Sequence, residues 1–358
     1  MNKPSACPHF AQCSGCELPD PYNPPIWQEI LTFFREQGVE PELITDGFSQ
    51  TRMKAKLAIR PGPNLGLFKK GTHEVIAIPQ CLVHHPSINR AALLLKEEII
   101  KHNIPPFDER SGKGVLRYAQ MFVERTTGLV QLALVATQPI DPFCRALLKR
   151  GPWHSIWQNI HSAPNNAIFG STWKLQAGAP FLWQPIGAHT FPFHPAAFSQ
   201  AHFPLFEKMI RKIGDWVGSD SKILELYAGV GVIGLSLPYQ ALTLVESNPF
   251  AYFSFQQMKR DVPYFCVDAK KASFSGYDVT IVDPPRKGLD PEIIPQIASQ
   301  KLIYVSCQFS SFRRDAMRFF ELGWKLRKGA GYLLFPGANH VEVVAELILP
   351  FKPGFAES

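Results

Sequence analysis

Glu225-Leu226-Tyr227-Ala228-Gly229-Val230-Gly231-Val232-Ile233-Gly234 is the stretch on which the fold turns. Its glycines fit G-x-G-x-x-G between a short apolar strand and a helix: a tight turn, a close backbone approach and a helix N-terminus. Working outward, short apolar strands alternate with helices: 222–227, 241–246, 264–267, 278–282, 302–306, 332–335 and 341–349. This alternation predicts a mostly parallel sheet covered on both faces. The last two strands, joined only by Pro336-Gly337-Ala338-Asn339-His340, are expected to be antiparallel. Residues 1–190 read differently, as mostly β with inserted helices. Helices are expected over 27–37, 89–102 and 203–217, and a hairpin over 115–136 turns at Thr127-Gly128. The expected organisation is therefore α/β, with a β-rich region over 1–190 and a seven-stranded Rossmann-like domain over 191–358.

The chain of 358 residues carries 37 Lys plus Arg against 30 Asp plus Glu, 46% hydrophobic residues and 32 prolines. That composition excludes a disordered chain, and the prolines argue against a helical bundle. No run approaches the ~20 apolar residues of a membrane helix, and the first thirty residues hold no signal-like apolar segment. A cytoplasmic monomer with no membrane partner is expected. The net charge of +7 permits nucleic acid as a partner. On a strand over 49–60, Arg52, Lys54, Lys56 and Arg60 share one face, where they could meet phosphates. With Lys69 and Lys70, the first three are the candidate RNA contacts.

Three of the seven cysteines, Cys7, Cys13 and Cys16, sit in one short loop, and Cys81 is the best candidate for a fourth ligand. Thiolates favour zinc or an iron–sulfur cluster. The absence of paired C-x-x-C knuckles favours the cluster. The glycine loop alone suits NAD, FAD or S-adenosylmethionine equally. Glu225 before it and Glu246 at the end of the next strand suit a methyl donor, Glu246 as acceptor for ribose hydroxyls. Val282-Asp283-Pro284-Pro285-Arg286-Lys287-Gly288 decides for methyl transfer to nitrogen or to nucleic-acid bases. Cys307, at the end of the fifth apolar strand, lies on the same rim, and Glu342 begins the last strand. These two are the candidate nucleophile and general base.

Together these motifs resemble the RNA uracil-C5 methyltransferase family, and in particular its iron–sulfur members acting on 23S rRNA. The matching residues are Cys7, Cys13, Cys16 and Cys81; Phe198-Ser199-Gln200; the glycine loop; Asp283-Pro284-Pro285; Ser306-Cys307; and His340-Val341-Glu342. The resemblance implies a [4Fe–4S] cluster on the four cysteines and a covalent mechanism with Cys307 as nucleophile and Glu342 as base. Gln200, Tyr227, Glu246, Asp268, Asp283, Gly229 and Gly231 would serve the donor and uracil. Phe198 would stack on an unstacked base. The chain departs from the family pattern at His202, Val232 and Gln308-Phe309. A tRNA uridine C5-methyltransferase uses the same chemistry. A nicotinamide-dependent oxidoreductase shares only the glycines and leaves Asp283-Pro284-Pro285, Cys307 and Glu342 unexplained.

Overall fold

A computed structural model describes residues 4–10, 12–163 and 167–350. The chain opens with helix α1 (Ile26–Glu36) and strand β1 (Glu42–Ile44). Strands β2 (Lys54–Arg60), β3 (Asn64–Phe68) and β4 (Val75–Ala77) precede helix α2 (Pro86–Lys101). Next come β5 (Leu116–Val123), β6 (Val130–Ala136), α3 (Asp141–Leu148), β7 (Trp153–Ile160) and β8 (Thr172–Gly178). The hairpin of β9 (Leu182–Ile186) and β10 (His189–Phe193) leads into α4 (Phe203–Val217). The C-terminal part runs β11 (Lys222–Leu226), α5 (Val232–Leu235), β12 (Ala241–Val245), α6 (Pro249–Gln256), β13 (Tyr264–Phe265) and β14 (Val279–Val282). It closes with β15 (Lys301–Ser306), α7 (Phe309–Glu321), β16 (Lys325–Tyr332) and β17 (Glu342–Ile348).

Two large sheets result. The first has the order β4-β3-β2-β5-β6-β7-β8 and is antiparallel except between β6 and β7. The second has the order β1-β16-β17-β15-β14-β11-β12-β13. It is parallel except where β17 runs against β15 and β16, so the fold is α/β with a mixed sheet. Among the described residues no helix is long and apolar enough to cross a membrane.

The expected seven C-terminal strands are joined by an eighth, β1, which pairs parallel with β16. The helix expected over 27–37 is α1, and it packs with the C-terminal sheet as well. Phe33 lies edge-on to Phe309 and Phe312, and Phe34 stacks on Phe312 at 5.8 Å. Both are buried, worth about 1.5–3 kcal/mol each. Gly329 permits the approach of α1, because a Cβ there would run into the Phe34 ring. The same residue explains a corrected boundary: the sixth strand of the C-terminal series was expected over 332–335 but spans Lys325–Tyr332. Lys325, Arg327, Lys328, Gly329 and Gly331 disguise its first seven positions. The other face of the sheet shares one apolar core with the β-rich region, running from Leu132 and Phe193 through Phe203 to Ile223.

Candidate active site

Parallel β11, β12, β14 and β15 end on one rim of the sheet. Because β17 is antiparallel, its first residue reaches that rim too: Val343 pairs with Ser306 and Glu342 with Tyr332. Ligands of open α/β sheets bind at that edge. A cavity of about 600 Å³ opens there. Gln200, Tyr227, Gly229, Glu246, Asp268, Asp283, Cys307 and Glu342 all line it, so residues spread over nearly 150 positions meet in one space. Phe198 also lines it and is 64% exposed, placed at the mouth as a stacking surface would be.

On the glycine-loop side, Glu246 accepts hydrogen bonds from the backbone N–H of Gly229 at 3.0 Å and of Asn248 at 2.8 Å. Tyr227 takes a positive φ of 59°, a strained turn for a non-glycine residue at the end of β11. Tyr264 donates to the Gly229 carbonyl at 2.6 Å. Asp268 caps the short turn after β13 by accepting from Lys270 N–H at 2.9 Å. Two expectations change here. Gly231 does not line the cavity: its φ of 86° turns the chain into α5, and a Cβ would lie 2.6 Å from Leu244. Glu225 is fully buried as a brace, accepting from Gly234 N–H at 2.8 Å. Burial, and after it the charges of Asp283 and Glu246, push its carboxyl up to about 8 against the pull of that N–H.

The reactive end is a crowded set of acids. Burial raises Glu342 well above the carboxylate range, and Asp283 adds to it. Burial and Glu246 raise Asp283. The Cys307 thiol is pushed up to about 11, first by burial, then by Glu342 and Asp283, with Arg286 opposing. Free cysteine in this pocket is thus a protonated thiol, and Glu342 is a strong base once ionised. Phe335, Arg286 and His340 complete the wall. In the sequence, Arg286 stands beside Asp283-Pro284-Pro285 with no pocket role of its own, and Phe335, five positions before His340, reads only as a strand end. The departures from the family pattern are absorbed structurally. His202 caps α4, accepting from Leu205 N–H and hydrogen-bonding the Asp46 carbonyl at 3.0 Å. Val232 is buried against the core.

The four candidate ligand cysteines, Cys7, Cys13, Cys16 and Cys81, line a second, small cavity of about 30 Å³ together with Arg52. Burial raises the thiols of Cys13, Cys16 and Cys81, Cys16 to about 12, and the neighbouring cysteines push in the same direction. Among the described residues no three His, Cys, Asp or Glu side chains are grouped for a metal ion.

The basic face of β2 is not the open row that its alternation suggests. Arg60 is buried, ion-paired with Glu109 and bonded to the Arg117 carbonyl at 2.9 Å. Lys54 donates to the Ala197 carbonyl at 3.0 Å and sits over the Phe122 ring; burial lowers it to about 7. Arg52 faces the cysteines. Lys70 pairs with Glu17 at 3.3 Å. Among the described residues, Lys56 and Lys69 are the two exposed cations of the set with no carboxylate partner. The segment over 197–201 reaches the start of this strand, where the Ala197 carbonyl accepts from Lys54 and the Ala201 carbonyl from the Met53 N–H.

No family model matches the chain. The chain is 37% identical over 369 residues to an RNA methyltransferase of Protochlamydia amoebophila, spanning 95% of this chain and 96% of that protein. It is 28% identical over 306 residues to an RNA methyltransferase of Streptococcus agalactiae, across 79% of this chain and 68% of the relative. Among solved structures, the fold matches Pyrococcus abyssi tRNA (uracil-54, C5)-methyltransferase in complex with S-adenosyl-L-homocysteine. The TM-score is 0.75 at 23% identity, over 90% of this chain and 83% of that one. With the fold of a methyltransferase and a near full-length relative at that identity, the chain belongs to the RNA methyltransferase family.

Proposed function

We propose that this protein methylates C5 of uridine in RNA, 23S rRNA being the substrate, with S-adenosylmethionine as donor and a covalent bond between Cys307 and uracil C6. The observation that carries the reading is the meeting of Cys307, Glu342, Asp283, Glu246 and Asp268 in one cavity. Uracil C5 is too weak a nucleophile to take a methyl group unaided. The Cys307 thiol first gives its proton to water; addition of the resulting thiolate to C6 forms the S–C6 bond and pushes the ring electrons into an enolate with carbanion character at C5. S-adenosylmethionine, when bound, supplies the electrophilic methyl group and departs as S-adenosylhomocysteine. The Glu342 carboxylate then takes the C5 proton, and the electrons of that C–H bond expel the thiolate. Glu342 returns the proton to water, and both residues are regenerated. Gln200 and Asp283 are suited to hold the uracil amide edge, and Glu246 and Asp268 to hold ribose and adenine. The base must leave its stack to reach Cys307, with Phe198 available as its new neighbour.

The donor set lining the cysteine cavity is all thiolate, which suits a [4Fe–4S] cluster, and raised thiols are brought down when they bind metal; binding would draw the four side chains, ungrouped in this structure, to one centre. Cys7, Cys13, Cys16 and Cys81 would hold it. Its contribution would be to tie the N-terminal loop to β2 and the segment after β4, since ligand binding is folding energy for a short loop.

Calorimetry tests the donor assignment. The protein should bind S-adenosylmethionine and not NAD. Glu246→Ala should weaken that binding by about tenfold to a hundredfold, the loss of one or two charge-assisted hydrogen bonds. Binding of NAD without the methyl donor would return the glycine loop to an oxidoreductase.

A further inference from the structure

The turn between β16 and β17 carries Phe335 and His340 into the reaction cavity, and the loop bearing the cysteines grips it. Glu17 N–H and Leu18 N–H both donate to the Gly337 carbonyl, at 2.8 and 3.0 Å. The Glu17 carboxylate accepts from Asn339 N–H at 3.0 Å. Asn339 in turn accepts from Ile26 N–H at 2.8 Å, at the start of α1. Beyond the turn, the His340 ring lies edge-on to Phe335 at 5.1 Å, and both stand with Cys307 in the wall of the reaction cavity. The Arg52 guanidinium, in the wall of the cysteine cavity, sits 5.0 Å over that same Phe335 ring.

These contacts form one continuous path from residue 17 to the wall of the cavity that holds the reactive thiol. We propose that Glu17 is a positioning residue for methyl transfer: by fixing the turn at Asn339 it sets His340 and Phe335, which shape the space in which Cys307 meets the base. Glu17 touches neither the RNA base nor the donor, and its role is geometric. A nucleophile displaced by a fraction of an ångström from C6 loses rate without losing substrate. Arg52 against Phe335 is a second hold on the same turn, so release of Glu17 loosens it without collapsing the site. The proposal rests on the uracil-C5 reading of the cavity.

The test compares wild type, Glu17→Ala, Glu17→Gln and Lys70→Ala. For each, steady-state methylation, donor affinity, iron content and the rate of covalent adduct formation on 5-fluorouridine RNA are measured. The fluorine at C5 cannot be removed as a proton, so the adduct stalls and reports attack together with methyl transfer. Glu17→Ala should lower kcat and the adduct rate by about tenfold while RNA KM, donor affinity and iron content stay within about twofold. Glu17→Gln should be close to wild type, because its amide oxygen still accepts from Asn339 N–H. Lys70→Ala breaks only the surface ion pair, so any change it brings should fall on RNA KM and not on kcat or the adduct rate, which separates the ion pair from the turn contact. An unchanged kcat in Glu17→Ala would overturn the proposal. So would a fall that tracks loss of iron and is not rescued by Gln, which would assign Glu17 to the cysteine centre. If wild type forms neither adduct nor product, the uracil-C5 reading itself falls, and the proposal with it.

Discussion

Cys307→Ala is expected to abolish RNA methylation, with a fall on the order of 10⁴-fold or more, as for a nucleophile whose partners cannot act without it. The loss should be chemical and not structural. The side chain is only partly buried, and removing one sulfur leaves the strand end of β15 and its pairing with β17 in place. Donor affinity should therefore be unchanged, and no adduct should form on 5-fluorouridine RNA. The wild-type rate should climb as pH rises through neutrality. The thiol is pushed up to about 11, so each pH unit below that value costs about tenfold in thiolate. Measurable turnover by Cys307→Ala would eliminate the covalent route.

Glu342→Gln should behave differently, and the contrast separates the two roles. Glutamine keeps the shape of a side chain that is 1% exposed and removes a charge that burial already disfavours, so the fold should hold. Turnover should fall by roughly 10²- to 10⁴-fold, the usual contribution of a positioned base. Attack at C6 and methyl transfer remain open, but the C5 proton stays and the thiolate is not expelled. A methylated protein–RNA species should accumulate and survive a denaturing gel. Its formation should require S-adenosylmethionine, since thiol addition alone reverses. Full turnover by this variant would remove Glu342 from the mechanism.

Much of this site is readable from the chain because its residues sit at fixed places relative to strands. Glu246, Asp283 and Cys307 each follow a short apolar run, and parallel strands deliver their carboxyl ends to one edge. Glu342 joins them because the link over 333–341 is too short for a crossover and returns the chain antiparallel. What sequence spacing does not carry is the chemistry of packing between distant segments. β1 has only three residues, Glu42, Leu43 and Ile44, and no alternation to mark it. β16 is disguised by the glycines that admit α1. The cations of β2 sit on alternate positions of one face, interrupted only by Ala58, yet Arg60 is taken by Glu109 and Lys54 by the Ala197 carbonyl. Gly231 and Glu225 belong to the motif but serve the turn rather than the cavity. Glu17 and Asn339 are 322 residues apart, and nothing local in either announces the contact.

Methyl transfer to uracil C5 through Cys307 is tested most directly by locating the transferred methyl group. Purified protein should be incubated with unmodified 23S rRNA and methyl-labelled S-adenosylmethionine, the RNA digested to nucleosides, and the label located by chromatography and mass spectrometry. All of the label is expected in 5-methyluridine, with none when Cys307→Ala replaces wild type. Label in an N-methylated base or on a ribose, or transfer that persists without Cys307, would contradict it.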